Sequence, residues 1–112
     1  MNNMKTSEKI SFQKVLSISA SMSKPLVLLL NRECQFSLQE EILTAIQEKK
    51  EQVFEIVKYN GSLAKALQEE LNIENIPALV VLHKSDIKGI FQGLFSSQEI
   101  NNLLTKIKNQ NK

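Results

Sequence analysis

The sequence predicts an α/β domain with a mixed central β-sheet and helices on both of its faces. Three observations predict it. Segments with apolar residues three and four apart alternate with strand-sized apolar runs. One of those runs, Leu26 to Leu30, is apolar at every position, as a strand covered on both faces requires. The alternation then ends in two strands separated by a short polar turn, which adds an antiparallel hairpin to the βαβ order.

The first helix is read from Phe12, Val15, Leu16 and Ser19, and it must end before Lys24-Pro25, because the residue preceding a proline is pushed away from helical geometry. Leu26 to Leu30 is too short for a helix between Pro25 and Asn31, and its apolar character places it in the middle of a parallel sheet. After the loop Asn31 to Phe36, Ser37 and Glu40 have the Ser-x-x-Glu spacing of a capping box, in which each side chain satisfies a backbone N–H of the other residue. The helix they open carries Leu38, Ile42, Leu43 and Ile46 on one stripe and runs to about Lys50. Val53 to Tyr59, rich in β-branched and aromatic residues, is the second strand, stopped by Asn60-Gly61. Leu63, Ala64, Leu67 and Leu71 mark a third helix. Ala78 to Leu82 is a strand, Lys84-Ser85-Asp86 a turn, and Lys88 to Gly93 the strand that returns. Ser96 and Glu99 repeat the capping box, and Ile100, Leu103, Leu104 and Ile107 form the core stripe of the last helix.

The chain of 112 residues, 42% hydrophobic and 23% charged, is long enough to form one domain over residues 1–112. A chain of this size buries roughly two-thirds of its unfolded surface, so its core needs no metal or disulfide. Residues 1–9 and 108–112 are polar and are expected to fray. A lone cysteine, Cys34, rules out an internal disulfide, and with a single histidine, His83, it disfavours any metal site. The formal charge of +2 arises from 14 basic and 12 acidic residues without a basic stripe, so no nucleic-acid partner is indicated. The longest apolar runs are strand-sized and the N-terminal segment is broken by serines and lysines, which gives neither a membrane span nor a signal segment. With an unpaired thiol, this reads as a cytoplasmic protein. His83, next to Lys84, is expected at the surface or half-buried, and Phe12, Phe54 and Phe91 in the core.

Cys34 stands in the loop between the buried first strand and the capped helix, where open α/β sheets place their sites. A thiol ahead of a helix N-terminus faces unpaired N–H groups and the positive end of the dipole, which stabilises the thiolate. The alternative is an inert buried cysteine, against which stand the polar neighbours Asn31, Arg32, Glu33 and Gln35. Phe36 in the same turn either adds exposed apolar area for a partner or packs as the staple before the Ser37 cap.

From Phe12 to Ile107 the arrangement resembles the thioredoxin family. The resemblance is carried by Lys24 to Leu30 followed by Cys34-Gln35-Phe36-Ser37, a Cys-x-x-Ser turn where the family has Cys-x-x-Cys. It continues in Lys58 at a strand end, in Asn75-Ile76-Pro77 ahead of a strand, and in Phe91-Gln92-Gly93 ahead of the last helix. It implies a thioredoxin-like fold, a role in cell redox homeostasis, Cys34 as the attacking thiolate, and a cis Ile76-Pro77 bond that holds an extended partner by backbone hydrogen bonds. Ordinary X-Pro bonds are cis about one time in twenty, so the cis expectation rests on the resemblance alone. Gly93 would keep the groove open, and Lys58 matches a family lysine, although a lysine at a strand end is also simply solvated.

The departures limit the chemistry. The family's buried acid has no counterpart in Leu26 to Leu30, its tryptophan before the first cysteine is Glu33, and its resolving cysteine is Ser37. A hydroxyl cannot displace a disulfide, so no dithiol cycle closes within this chain. Three functional readings follow. In the first, Cys34 works as a monothiol on a protein disulfide or thiol partner, with glutathione or another small thiol as the external resolving group and no cofactor. In the second, the domain is a non-catalytic protein-binding module whose groove is bordered by Cys34, Phe36, Ile76 and Pro77. The third is a monothiol glutaredoxin-like iron-sulfur or glutathione binder, suggested by Cys34-Gln35-Phe36-Ser37 but opposed by Gln35 in place of glycine and by the lack of a glutathione-anchoring lysine before Cys34. No oligomeric state is indicated.

Overall fold

A computed structural model describes residues 12–31, 38–48, 53–93 and 95–110 of the chain. Their elements are α1 (Phe12–Ala20), β1 (Leu26–Asn31), α2 (Leu38–Glu48), β2 (Glu55–Asn60), α3 (Gly61–Glu70), β3 (Ala78–His83), β4 (Asp86–Gln92) and α4 (Ser97–Gln110). The strands lie in the order β2-β1-β3-β4. β1 runs parallel to β2 and antiparallel to β3, and β3 runs antiparallel to β4, so the sheet is mixed. The apolar run Leu26 to Leu30 therefore belongs to a central strand with one parallel and one antiparallel neighbour, not to the middle of a parallel sheet. What it needs apolar on both sides is the pair of helical layers.

Alternation along the strands divides the core in two. Leu26, Leu28 and Leu30 of β1 with Ala78, Val80 and Leu82 of β3 face α1 and α3, against Phe12, Val15, Ala64 and Leu67. Val27, Leu29, Leu79 and Val81 face α2 and α4, against Leu43, Ile46, Ile100, Leu104 and Ile107.

Several boundaries differ from the sequence expectation for local reasons. β2 begins at Glu55 rather than Val53, because its pairing with β1 starts at Leu26 opposite Glu55 and the Glu55 N–H donates to the Pro25 carbonyl at 3.0 Å. Val53 lies beyond that pairing and is exposed, whereas Phe54 is buried. The turn before β4 is only Lys84-Ser85, with φ of 52° and 73°, and Asp86 already pairs with His83. α3 follows β2 directly at Gly61 and ends in a Schellman arrangement: Ile73 N–H donates to Gln68 O (2.9 Å), Asn72 N–H donates to Glu69 O (3.3 Å), and Asn72 takes the left-handed conformation (φ 57°). α4 continues through Gln110, so Lys108 to Gln110 are helical rather than frayed; nothing breaks the helix there, and Lys108 suits its negative end. Residues 1–9 lie outside the described residues. His83 is buried rather than surface-bound, with Nε2 3.3 Å from the Ser23 carbonyl. Phe12 and Phe54 are buried, and Phe91 is half-buried against the α2/α4 core. Among the described residues no helix is long and apolar enough to cross a membrane.

Candidate functional site

The site is assembled by register. Because β1 and β3 are antiparallel, with Leu30 opposite Ala78, the carboxyl end of β1 lies beside the amino end of β3. Ile76 and Pro77 immediately precede that end. β4 pairs Gln92 with Ala78, so Gly93 arrives at the same place, and its N–H donates to the Pro77 carbonyl at 2.8 Å. Sequence-distant Ile76, Pro77 and Gly93 are thus gathered at one end of the sheet, and the Ile76–Pro77 bond is cis. Gly93 has φ +80°, a conformation glycine adopts without penalty, and a Cβ there would meet no atom within 4 Å.

The segment joining Asn31, at the end of β1, to Leu38, the first residue of α2, carries Cys34, Phe36 and Ser37. All three lie outside the described residues, as does the Ser37 half of the first capping box. Glu40, its other half, stands in the first turn of α2 and accepts a hydrogen bond from Lys58 Nζ at 2.6 Å. The pairing follows from topology. Lys58 is opposite Leu29, whose side chain points into the α2/α4 layer, so Lys58 emerges on the α2 side of the sheet. Beneath this end, Leu26 to Leu30 of β1 are leucines and a valine with at most 3% exposure, Asn31 follows at 6%, and the strand carries no ionisable group.

The loop ahead of Ile76 is tied down by residues for which the sequence holds no local signal. Gln92 Oε1 accepts from two consecutive backbone N–H groups, Glu74 at 3.0 Å and Asn75 at 3.1 Å. Gln68 Nε2 donates to the Glu74 carbonyl at 3.3 Å. On the α3 side, Gly61, Ser62, Lys65, Gln68 and Ile76 line a cleft of about 410 Å³. Tyr59 and Ile76 both pack, half-buried, against the α1/α3 core, and burial pushes the Tyr59 phenol above its ordinary pKa. The Gln92 bonds span 17 and 18 positions, and the Gln68 bond joins a helix to the loop six residues on, which is why periodicity and local motifs do not reveal them.

No family model matches the chain, and no curated protein matches it in sequence. Solved structures do. Desulfothioredoxin from Desulfovibrio vulgaris Hildenborough, in its reduced form, superposes with a TM-score of 0.65 at 17% identity, covering 88% of this chain and 94% of that one. Chloroplastic thioredoxin z gives 0.65 at 20% identity, covering 91% and 94%. Thioredoxin NaTrxh from Nicotiana alata gives 0.63 at 15%, covering 85% and 83%. At such identities the likeness speaks for architecture alone. Sheet order, helical layers and these superpositions agree that the chain has a thioredoxin-like fold.

Proposed function

We propose that the protein performs thiol–disulfide exchange as a monothiol, with Cys34 as nucleophile and an external thiol as the resolving group. The observation that carries the reading is the register that sets the carboxyl end of β1, three residues ahead of Cys34, beside Ile76–Pro77 and Gly93. A nucleophile borne on that connection has an extended docking segment within reach, and α2 behind it supplies the positive end of an eleven-residue helix dipole.

In the reaction, the Cys34 thiolate attacks one sulfur of a disulfide R–S–S–R′. The Cys34–S–R bond forms as the S–S bond breaks, and R′–S⁻ leaves with the electron pair and takes a proton from water. A second thiol, from glutathione, another small thiol or the partner's own cysteine, then attacks R's sulfur and releases Cys34 as thiolate, its own proton going to water. The second thiol ends in a disulfide with R, R′ ends as the free thiol and Cys34 is regenerated, so the exchange balances without a cofactor. Ser37, a hydroxyl, takes no part in the exchange. The partner is a protein segment that lies extended along Ile76–Pro77, with Phe36 and Gly93 at its border. A reducing compartment, the cytoplasm, keeps Cys34 free.

The test is alkylation of Cys34 across pH, alongside glutathione-supported reduction of a mixed disulfide. The expected apparent pKa lies below the free-cysteine value of about 8.5, and Cys34→Ser abolishes reduction. A pKa at or above the free value, or reduction that survives Cys34→Ser, overturns the reading. One observation favours a second reading, a non-catalytic binding module: β1 offers no acid beneath the site. Partner capture that persists undiminished in Cys34→Ser, with no exchange in the wild type, is its signature.

A further inference from the structure

We propose that Gln92 is a positioning residue that presents Ile76–Pro77 to an extended partner; the proposal rests on the docking role assigned to that segment above. The Glu74 and Asn75 N–H groups lie between the C-cap of α3 and the start of β3, where no helix or strand ladder takes them up. One side-chain oxygen with two lone pairs accepts both, at 3.0 and 3.1 Å. Gln92 is itself fixed, being the last residue of β4 and paired with Ala78. The loop is held on its far side by Gln68 Nε2 on the Glu74 carbonyl, and after Pro77 by the Gly93 N–H on the Pro77 carbonyl.

None of these four bonds uses the N–H or C=O of Ile76. The clamp thus closes on both sides of Ile76 while leaving its backbone groups to a partner strand, and the partner does not have to order the loop as it binds. Because the bonds are exposed, losing them costs the fold little and falls mainly on the loop.

Two reagents separate this role from general damage: a cysteinyl peptide activated as an aromatic mixed disulfide, and a small aromatic disulfide without peptide. Gln92→Ala is expected to lower the peptide rate about tenfold relative to the small-reagent rate. Gln92→Glu keeps an oxygen acceptor and is expected to restore the ratio. An unchanged ratio in Gln92→Ala, or failure of Gln92→Glu to restore it, overturns the proposal. If the wild type reacts with neither reagent, the exchange reading falls, and the clamp is judged by backbone hydrogen exchange. Faster exchange at Glu74 and Asn75 in Gln92→Ala, reversed in Gln92→Glu, supports it; unchanged exchange refutes it.

Discussion

Tyr59 shows how one side chain at the site end of the sheet links packing to pH. Its ring packs half-buried against the α1/α3 core, and desolvation raises its pKa above the ordinary value of about 10. The neutral phenol is the form the fold favours. Above pH 10 the unfolded chain has already released this proton while the folded chain still holds it, so the unfolded state binds fewer protons and stability falls as pH rises. The contribution is complete below the unfolded pKa and lost as pH climbs through the folded one. Urea titrations at pH 8 to 11 are expected to show a decline in the wild type that is shallower in Tyr59→Phe; identical slopes would refute the assignment. Residue-scale features of this kind were only partly legible. Ile76, Pro77 and Gly93 were singled out by likeness and do converge, whereas burial of His83 and the Glu40–Lys58 pair depend on which strand lies beside which. The same is true of the Gln92 clamp, whose partners are 17 and 18 positions away.

At the scale of elements, what is local was readable and what is relational was not. The second capping box forms as its spacing requires. Ser96 N–H donates to Glu99 Oε1 at 2.9 Å, and Glu99 N–H donates to Ser96 Oγ at 3.2 Å. Both bonds lie within four residues, so the pattern alone sufficed. Ser96→Ala removes one of them and leaves the Glu99 N–H to water. Stability is expected to drop by about 1 kcal/mol, with Ser96→Asp close to wild type, measured by thermal or urea unfolding. A loss below a few tenths would mean that the cap is idle. The β3–β4 hairpin shows the opposite case. A two-residue turn with positive φ at both positions ordinarily calls for Asn-Gly or a similar pair, and Lys84-Ser85 carries no such signal. Its conformation is held from outside. The Ser85 N–H donates to Ser19 Oγ at 3.0 Å, and Ser19 is itself buried in α1 and bonded to the Leu16 carbonyl. A turn set by a helix 66 residues away leaves no local trace, so the sequence pattern starts the strand at Lys88 where the structure starts it at Asp86.

At the scale of the molecule, β1 and β3 belong to both halves of the core, and this decides how the fold fails. Leu28 and Leu29 are neighbours in sequence, both fully buried, yet they fill opposite layers. The layers themselves were legible, because continuous apolar runs between amphipathic helices leave a sheet few other places. The antiparallel sense of β1 and β3 was not, since an apolar run reads the same in either direction. Replacing either leucine by alanine should cost about 3–5 kcal/mol, from lost transfer energy and the cavity left behind. If the layers were independent, Leu28→Ala would loosen only α1 and α3, and Leu29→Ala only α2 and α4. Since both cavities open on the same strand, each substitution instead undermines the pairing that the other layer relies on. Far-UV circular dichroism during urea unfolding is therefore expected to show one transition in both variants, displaced by similar amounts. The double variant, at a combined loss comparable to the whole stability of about 5–15 kcal/mol for a domain of this size, should be largely unfolded without denaturant. A biphasic curve in which only one phase moves would show that the sheet does not couple the two layers.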